Sequence, residues 1–185
     1  MKKVILLIPC LLLIAGQSFA RGGGGSGWML GLSLAPSSLT VDNPSPASDS
    51  NASAMELGAK FGMVMPNGVF LGGLYNNRTT SGDSTYPTIG SMGFAVGYHN
   101  NGFFADLGYL LSGTYETSSS SKLTEGTGIQ IDLGYNAMIN SNFFMGFQIS
   151  YVTQNYKKAE VSGVTGDTDN KIASMGPMIN LGLMF

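Results

Sequence analysis

The chain has 185 residues, with nine Lys and Arg, 11 Asp and Glu, one His and one Cys, for a formal charge of −2. A mildly acidic chain without a basic patch excludes a nucleic-acid-binding surface. No apolar run beyond residue 20 reaches the roughly 20 residues that a transmembrane helix needs, so any passage through a membrane has to be made by strands.

The first segment reads "MKK", an apolar run from Val4 to Ala15, then "GQSFA". A basic start, a short apolar core and small residues before a break are the parts of a secretory signal peptide, residues 1–20, cleaved after Ala20. An uncleaved anchor and a lipoprotein signal at Cys10 are the alternatives. Cleavage before Cys10 would leave "LLLIAG" on the product, and Pro9 stands where a small flexible residue is wanted. Cys10 therefore leaves with the signal, and disulfides and cysteine nucleophiles are excluded from the mature chain. Seven Lys and Arg against 11 acids then give the mature chain a charge of −4. Residues 21–26, "RGGGGS", form a flexible tether by composition. The remainder, 27–185, suits one domain.

From here the side chains alternate with period two, and the helical spacing hardly occurs. Strands are predicted at 27–36, 54–64, 69–78, 88–98, 103–115, 125–138, 143–156 and 171–185. In the first, Trp28, Leu30, Leu32 and Leu34 oppose Met29, Gly31, Ser33 and Ala35. In the third, Val69, Leu71 and Tyr75 are set outward, because that turns Asn76 and Arg78 inward. The fourth sets Met92, Phe94, Val96 and Tyr98 against Ser91, Gly93, Ala95 and Gly97. The sixth sets Ile129, Ile131, Leu133 and Tyr135 against Gln130, Asp132, Gly134 and Asn136. The seventh sets Met145, Phe147, Ile149 and Tyr151 against Gly146, Gln148, Ser150 and Val152. These lengths match or exceed the roughly 9–11 residues of a tilted membrane-crossing strand.

The connections alternate too. "MPNG" (65–68), "HNNG" (99–102) and "INSN" (139–142) are tight turns, with Asn and Gly where positive φ is required. Between them lie longer polar links at 37–53, 79–87, 116–124 and 157–170. Short periplasmic turns alternating with long outer loops are the pattern of an up-and-down barrel, and an even strand number follows. The expected fold is thus all-β, an eight-stranded antiparallel up-and-down transmembrane β-barrel. Trp28, Tyr98, Phe103, Tyr135 and Phe143 fall at one edge as an aromatic girdle, with Phe185 beside them; Tyr75, Tyr115 and Tyr151 are placed in the opposite one.

The chain from Trp28 to Phe185 resembles the small eight-stranded outer-membrane barrels of the OmpX/Ail and OmpA-barrel type. The sharpest element is the last strand, where Phe185 is preceded by Leu183, Leu181 and Ile179 at alternate positions. The resemblance implies that Ile179, Leu181, Leu183 and Phe185 are read by the barrel assembly machinery. It also implies residence in a Gram-negative outer membrane, in contact with its lipid and lipopolysaccharide.

The inward faces carry Glu56, Lys60, Asn76, Arg78, Asp106, Gln130, Asp132, Asn136, Gln148 and Asn180. Buried charges are tolerated when paired, so this set is read as one salt network sealing the lumen. The alternative is a proton or small-solute path through it, since interior glycines leave space. A hydrolase would need a nucleophile and a His base. The single His, His99, is placed in the "HNNG" turn as a polar turn residue, so no enzyme activity is expected. Asp167 and Asp169 are spaced like the start of a calcium loop, but the later Gly and Glu are missing; neither a metal nor a cofactor is expected. The function expected is a non-enzymatic, monomeric envelope protein whose outer loops can meet an extracellular ligand. A narrow pore or solute transporter is the alternative, followed by a lipid-modifying enzyme. A soluble barrel with an internal ligand would need the apolar face inside, against the pattern.

Overall fold

The computed structural model describes residues 26–42, 50–80 and 88–185, with side-chain surroundings described over 26–36, 55–79 and 88–185. The expected signal peptide, and the expected tether except Ser26, lie outside the described residues, as do 43–49 and 81–87.

Eight strands follow in chain order: β1 (Gly27–Asp42), β2 (Ser50–Val64), β3 (Val69–Thr80), β4 (Thr88–Asn100), β5 (Phe103–Ser118), β6 (Ser121–Met138), β7 (Phe143–Val161) and β8 (Val164–Met184). Each pairs antiparallel with its chain neighbours, and β8 pairs with β1 to close a barrel. At the seam Leu30 lies opposite Leu183, and Leu34 opposite Ile179. Phe185 N–H donates to the Trp28 carbonyl at 2.9 Å, and Trp28 N–H to the Phe185 carbonyl at 2.6 Å. Closure thus satisfies backbone groups that an open edge would leave unpaired.

Alternation sorts the side chains. On β7, Met145, Phe147, Ile149 and Tyr151 point out and are exposed, while Phe144, Gln148, Ser150 and Val152 are buried. On β3, Leu71 and Tyr75 point out, and Asn76 and Arg78 are buried, as the sequence pattern set them. Two apolar clusters fill the interior. One contains Met29, Phe70, Leu110 and Phe144; the other contains Ile89, Tyr115, Tyr156 and Ile172. Interior glycines do not leave open space where rings lie across them. A Cβ at Gly62 or Gly72 would meet the ring of Phe70, one at Gly134 the ring of Phe104, and one at Gly182 the ring of Phe144.

Three expectations are corrected. First, the links 116–124 and 157–170 are mostly strand. β5 and β6 are joined only through Ser119 and Ser120, and β7 and β8 only through Ser162 and Gly163. Ser162 and Gly163 have φ of 52° and 83°, the left-handed pair of a two-residue hairpin. Here polar side chains stand on both faces, so the backbone ladder continues without the apolar alternation that reveals a strand. Second, the links 37–53 and 79–87 are shorter than expected, because β1 runs to Asp42, β2 starts at Ser50 and β3 runs to Thr80. Third, Tyr115 does not belong to an outer girdle. Met92 pairs with Ser112 and Gly93 with Leu110, leaving Leu111 as an extra residue. Leu111 and Ser112 both face out, and Tyr115 turns inward to lie 6.3 Å from the ring of Tyr156.

Three of the aromatic residues expected at the tight-turn end make ring contacts on the outer face. Phe103 and Tyr135 meet edge to face at 4.9 Å, Tyr135 lies 6.4 Å from Phe147, and Trp28 stacks on Phe61 at 5.2 Å.

Candidate functional site

The site is the lumen, and the β4–β5 hairpin sets its key register. Asn101 and Gly102 take φ of 50° and 87°, a left-handed pair. That turn places Gly97 opposite Asp106 and His99 opposite Phe104. Asp106 is in turn the register partner of Asp132 on β6. Two carboxylates thus stand side by side on the inner wall. Lys60, from β2 across the barrel, reaches both: Nζ lies 2.5 Å from Asp106 Oδ2 and 2.8 Å from Asp132 Oδ2. Its ammonium also sits 5.3 Å from the centre of the Phe104 ring.

The chain of contacts continues in both directions. Gln130 Nε2 donates to Asp132 Oδ2 at 2.7 Å, and Asn76 Nδ2 donates to Gln130 Oε1 at 2.6 Å. On the other side, His99 Nε2 lies 2.8 Å from Asp106 Oδ1. Side chains from five strands therefore form one continuous polar line.

The expected single network is in fact divided. Glu56 and Lys60 share a face of β2, but Glu56 pairs with Arg78, whose Nε and Nη2 donate to Oε2 at 2.8 and 2.7 Å. Glu56 and Arg78 are register neighbours on β2 and β3, a shorter reach than the one to Lys60's partners. Gln148 and Asn180 lie elsewhere in the lumen. Gln148 donates to the Met178 sulfur, and Asn180 Nδ2 donates to Asn136 Oδ1, each at 3.3 Å. Of the ten inward residues picked from the sequence, nine are buried and Asn136 is half-buried.

His99 is the residue the sequence reading misplaced. It belongs to β4, not the turn, and its ring points into the lumen between Phe70 and Phe104, 5.1 and 5.3 Å away. Two signals could have located it: Tyr98 faces out, so its neighbour faces in, and a two-residue hairpin turn brings Asp106 back beside it. His99 also lines a cup of about 550 Å³ that opens at the tight-turn end, with Met29, Phe144 and Met184 among its walls.

At the opposite end, Lys158 Nζ bonds Asp167 Oδ1 at 2.7 Å on the β7–β8 hairpin, and Lys122 lies 3.1 Å from Glu160. The hydrogen bond and charge of Lys158 hold the Asp167 carboxyl below its ordinary range. Asp167 is thus committed to a lysine. Among the described residues, no group of three or more His, Cys, Asp and Glu is placed to hold a metal ion.

No family model matches the chain, and no curated protein matches it in sequence. Solved structures do match. The crystal structure of Neisserial surface protein A (NspA) superposes with a TM-score of 0.51 at 13% identity, covering 87% of this chain and 99% of that one. The fold is that of the small eight-stranded outer-membrane barrels. The outer membrane protein OprG from Pseudomonas aeruginosa is similar at a TM-score of 0.48 and 14% identity, over 89% of this chain and 98% of that one. At these identities the likeness is one of fold alone.

Proposed function

We propose that the protein is a monomeric, closed-lumen barrel of a Gram-negative outer membrane, a non-enzymatic element of the envelope that presents rigid outer hairpins to the exterior. The observation that carries this reading is the filled lumen: Lys60 bridges Asp106 and Asp132, and buried Phe70 and Phe144 pack in the same interior. An eight-stranded barrel is just wide enough for side chains to fill, and here they are held by paired charges.

Residence in the membrane is supported by the outer surface. On β7 the outward apolar run from Phe143 to Tyr151 spans about 20 Å of height for a strand tilted near 40°. Beyond it the outward residues Thr153, Asn155 and Lys157 are polar, and the strand continues from Thr153 to Val161. That length adds about 20 Å above the apolar belt. The tight-turn end then faces the periplasm, and the barrel wall meets lipid and lipopolysaccharide. Ile179, Leu181, Leu183 and Phe185 form the segment offered to the barrel assembly machinery. The β5–β8 hairpins form the surface open to an extracellular ligand.

Recording in planar bilayers tests the closed lumen. No conductance above the bare membrane is expected from refolded protein that shifts on an unboiled gel. Steady unitary currents would replace this reading with the narrow pore or solute transporter, for which the periplasmic cup would serve as a vestibule.

A further inference from the structure

The inner half of the lumen lacks one positive charge. Among the described residues, Lys60 is the only ammonium bonded to Asp106 and Asp132, which are themselves register partners. Asp132 Oδ1 is buried without a hydrogen-bond partner among the described residues. Two carboxylates against one ammonium leave a net negative charge in a place where uncompensated charge is costly. The remaining oxygen of Asp106 faces His99 Nε2 at 2.8 Å, and His99 lines the cup that opens to the periplasmic side.

We propose that this cluster is a proton-binding site, in which His99 takes up one proton from the periplasmic mouth and completes a balanced set of two anions and two cations that holds the lumen shut. The inference rests on reading the lumen as closed. In the neutral ring, Nε2–H donates to Asp106 Oδ1, a tautomer that the hydrogen bond implies. The incoming proton adds to Nδ1, so no existing bond has to break, and its source is water in the cup.

The surroundings of His99 are consistent with this role. From β3 it meets the phenyl ring of Phe70, and from β5 the ring of Phe104 and the carboxylate of Asp106. Lys60 on β2 and Asp132 on β6 complete the charged neighbours through Asp106. Tyr98 and Tyr135, whose side chains belong to the outer face, border the same cup at its rim. The Glu56–Arg78 pair is balanced within itself. Lys60 opposes a second cation, but two carboxylates favour one, and the sum is attractive. Toward the exterior the polar line ends at Gln130 and Asn76, neither of which titrates. The cluster thus stores a proton and does not conduct it. Periplasmic acidity, which sets the occupancy of His99, would set how firmly the lumen is locked.

The chain has a single histidine, so a tag-free protein labelled with nitrogen-15 histidine gives one ring to read. In micelles, the two ring nitrogens are expected to draw together as pH falls and His99 takes its proton. In Asp132→Asn, which removes one anion at constant shape, they are expected to do so only at lower pH than in the wild type. A wild-type ring that does not titrate overturns the proposal, and so does an Asp132→Asn ring that titrates together with the wild type. Should that variant fail to fold, the thermal midpoint of the wild type provides a second reading. It should fall as pH rises and His99 loses its proton, whereas His99→Gln should show no such fall. A midpoint that ignores pH in the wild type also overturns the proposal. Bilayer currents with a titrating ring would refute the closed lumen while leaving the proton site standing; silent bilayers with a ring that does not titrate would do the reverse.

Discussion

Asp106 and Asp132 are direct register partners on β5 and β6, and the ammonium of Lys60 lies within 2.8 Å of both. Like charges opposed across two strands destabilise a sheet. The pair is therefore tolerable only because a cation from the far wall is shared between them. This makes Lys60 a strut across the barrel.

Removing the strut should be costly. Lys60→Met is expected to destabilise the refolded barrel by about 3–5 kcal/mol, the usual cost of stranding one side of a buried pair. Combining it with Asp106→Asn and Asp132→Asn should recover most of that loss. Urea unfolding in micelles, followed by tryptophan fluorescence, measures both. Equal midpoints for the single and triple variants would show that the charges are not what the lysine holds.

Gly97 faces Asp106 across the β4–β5 pair, and a Cβ there would meet both the Asp106 carboxylate and the Ala105 carbonyl. Gly97→Ala is expected to cost about 1–3 kcal/mol through overpacking and to displace the carboxylate from His99. Gly73 faces outward, where an added Cβ would meet nothing nearer than the Gly93 carbonyl at 3.8 Å, and serves as the control. Gly73→Ala should change stability by no more than about 0.5 kcal/mol.

Leu111 is the extra residue that turns Tyr115 inward. Deleting it restores strict alternation along β5 and leaves Tyr115 on the inner face, because Ser112 then follows Leu110 directly as the outward residue. The deletion is expected to cost far less than Tyr115→Ala, which takes an aromatic ring from the cluster of Ile89, Tyr156 and Ile172 at about 3–5 kcal/mol. Parallel unfolding curves check this. A deletion as costly as Tyr115→Ala would mean that Tyr115 has left the interior.

The exposed pair at the outer hairpin gives the pH prediction. Asp167 bonds Lys158, and that hydrogen bond, with the ammonium charge, depresses its titration. A depressed carboxyl contributes stability above its ordinary range and loses it as pH falls through the folded value. Carbon-13 carboxyl titration should place Asp167 lower in the wild type than in Lys158→Gln. Global stability should not respond, because water screens both groups. Identical titrations in the two proteins would show that the contact does not persist in solution.

Most of the architecture was readable from residue type alone. Period-two alternation, Asn and Gly at the tight turns and aromatic residues at one edge require only that each strand separate an outer from an inner face. That is a local property of the extended chain, so eight strands, their phase up to the Leu111 bulge and ten inward polar residues could be written down without coordinates, though not His99 or Gln154. Where polar residues occupy both faces, as in "SGVTGDTDNK" (162–171), alternation is silent, and only the backbone ladder shows the strand.

Pairing within the lumen belonged to the tertiary structure. Inward direction says which side chains share the interior, not which reach one another; that depends on strand register and barrel shear. Register placed Glu56 beside Arg78 and freed Lys60 for the two aspartates. A single bulge at Leu111 reversed the face of Tyr115. The β4–β5 turn folded Asp106 back onto His99, converting an apparent turn residue into the inner end of a buried polar line. The sequence determined the faces through local geometry; closure of the barrel decided the partners, because only a closed ring brings strands distant in the chain within reach of one another.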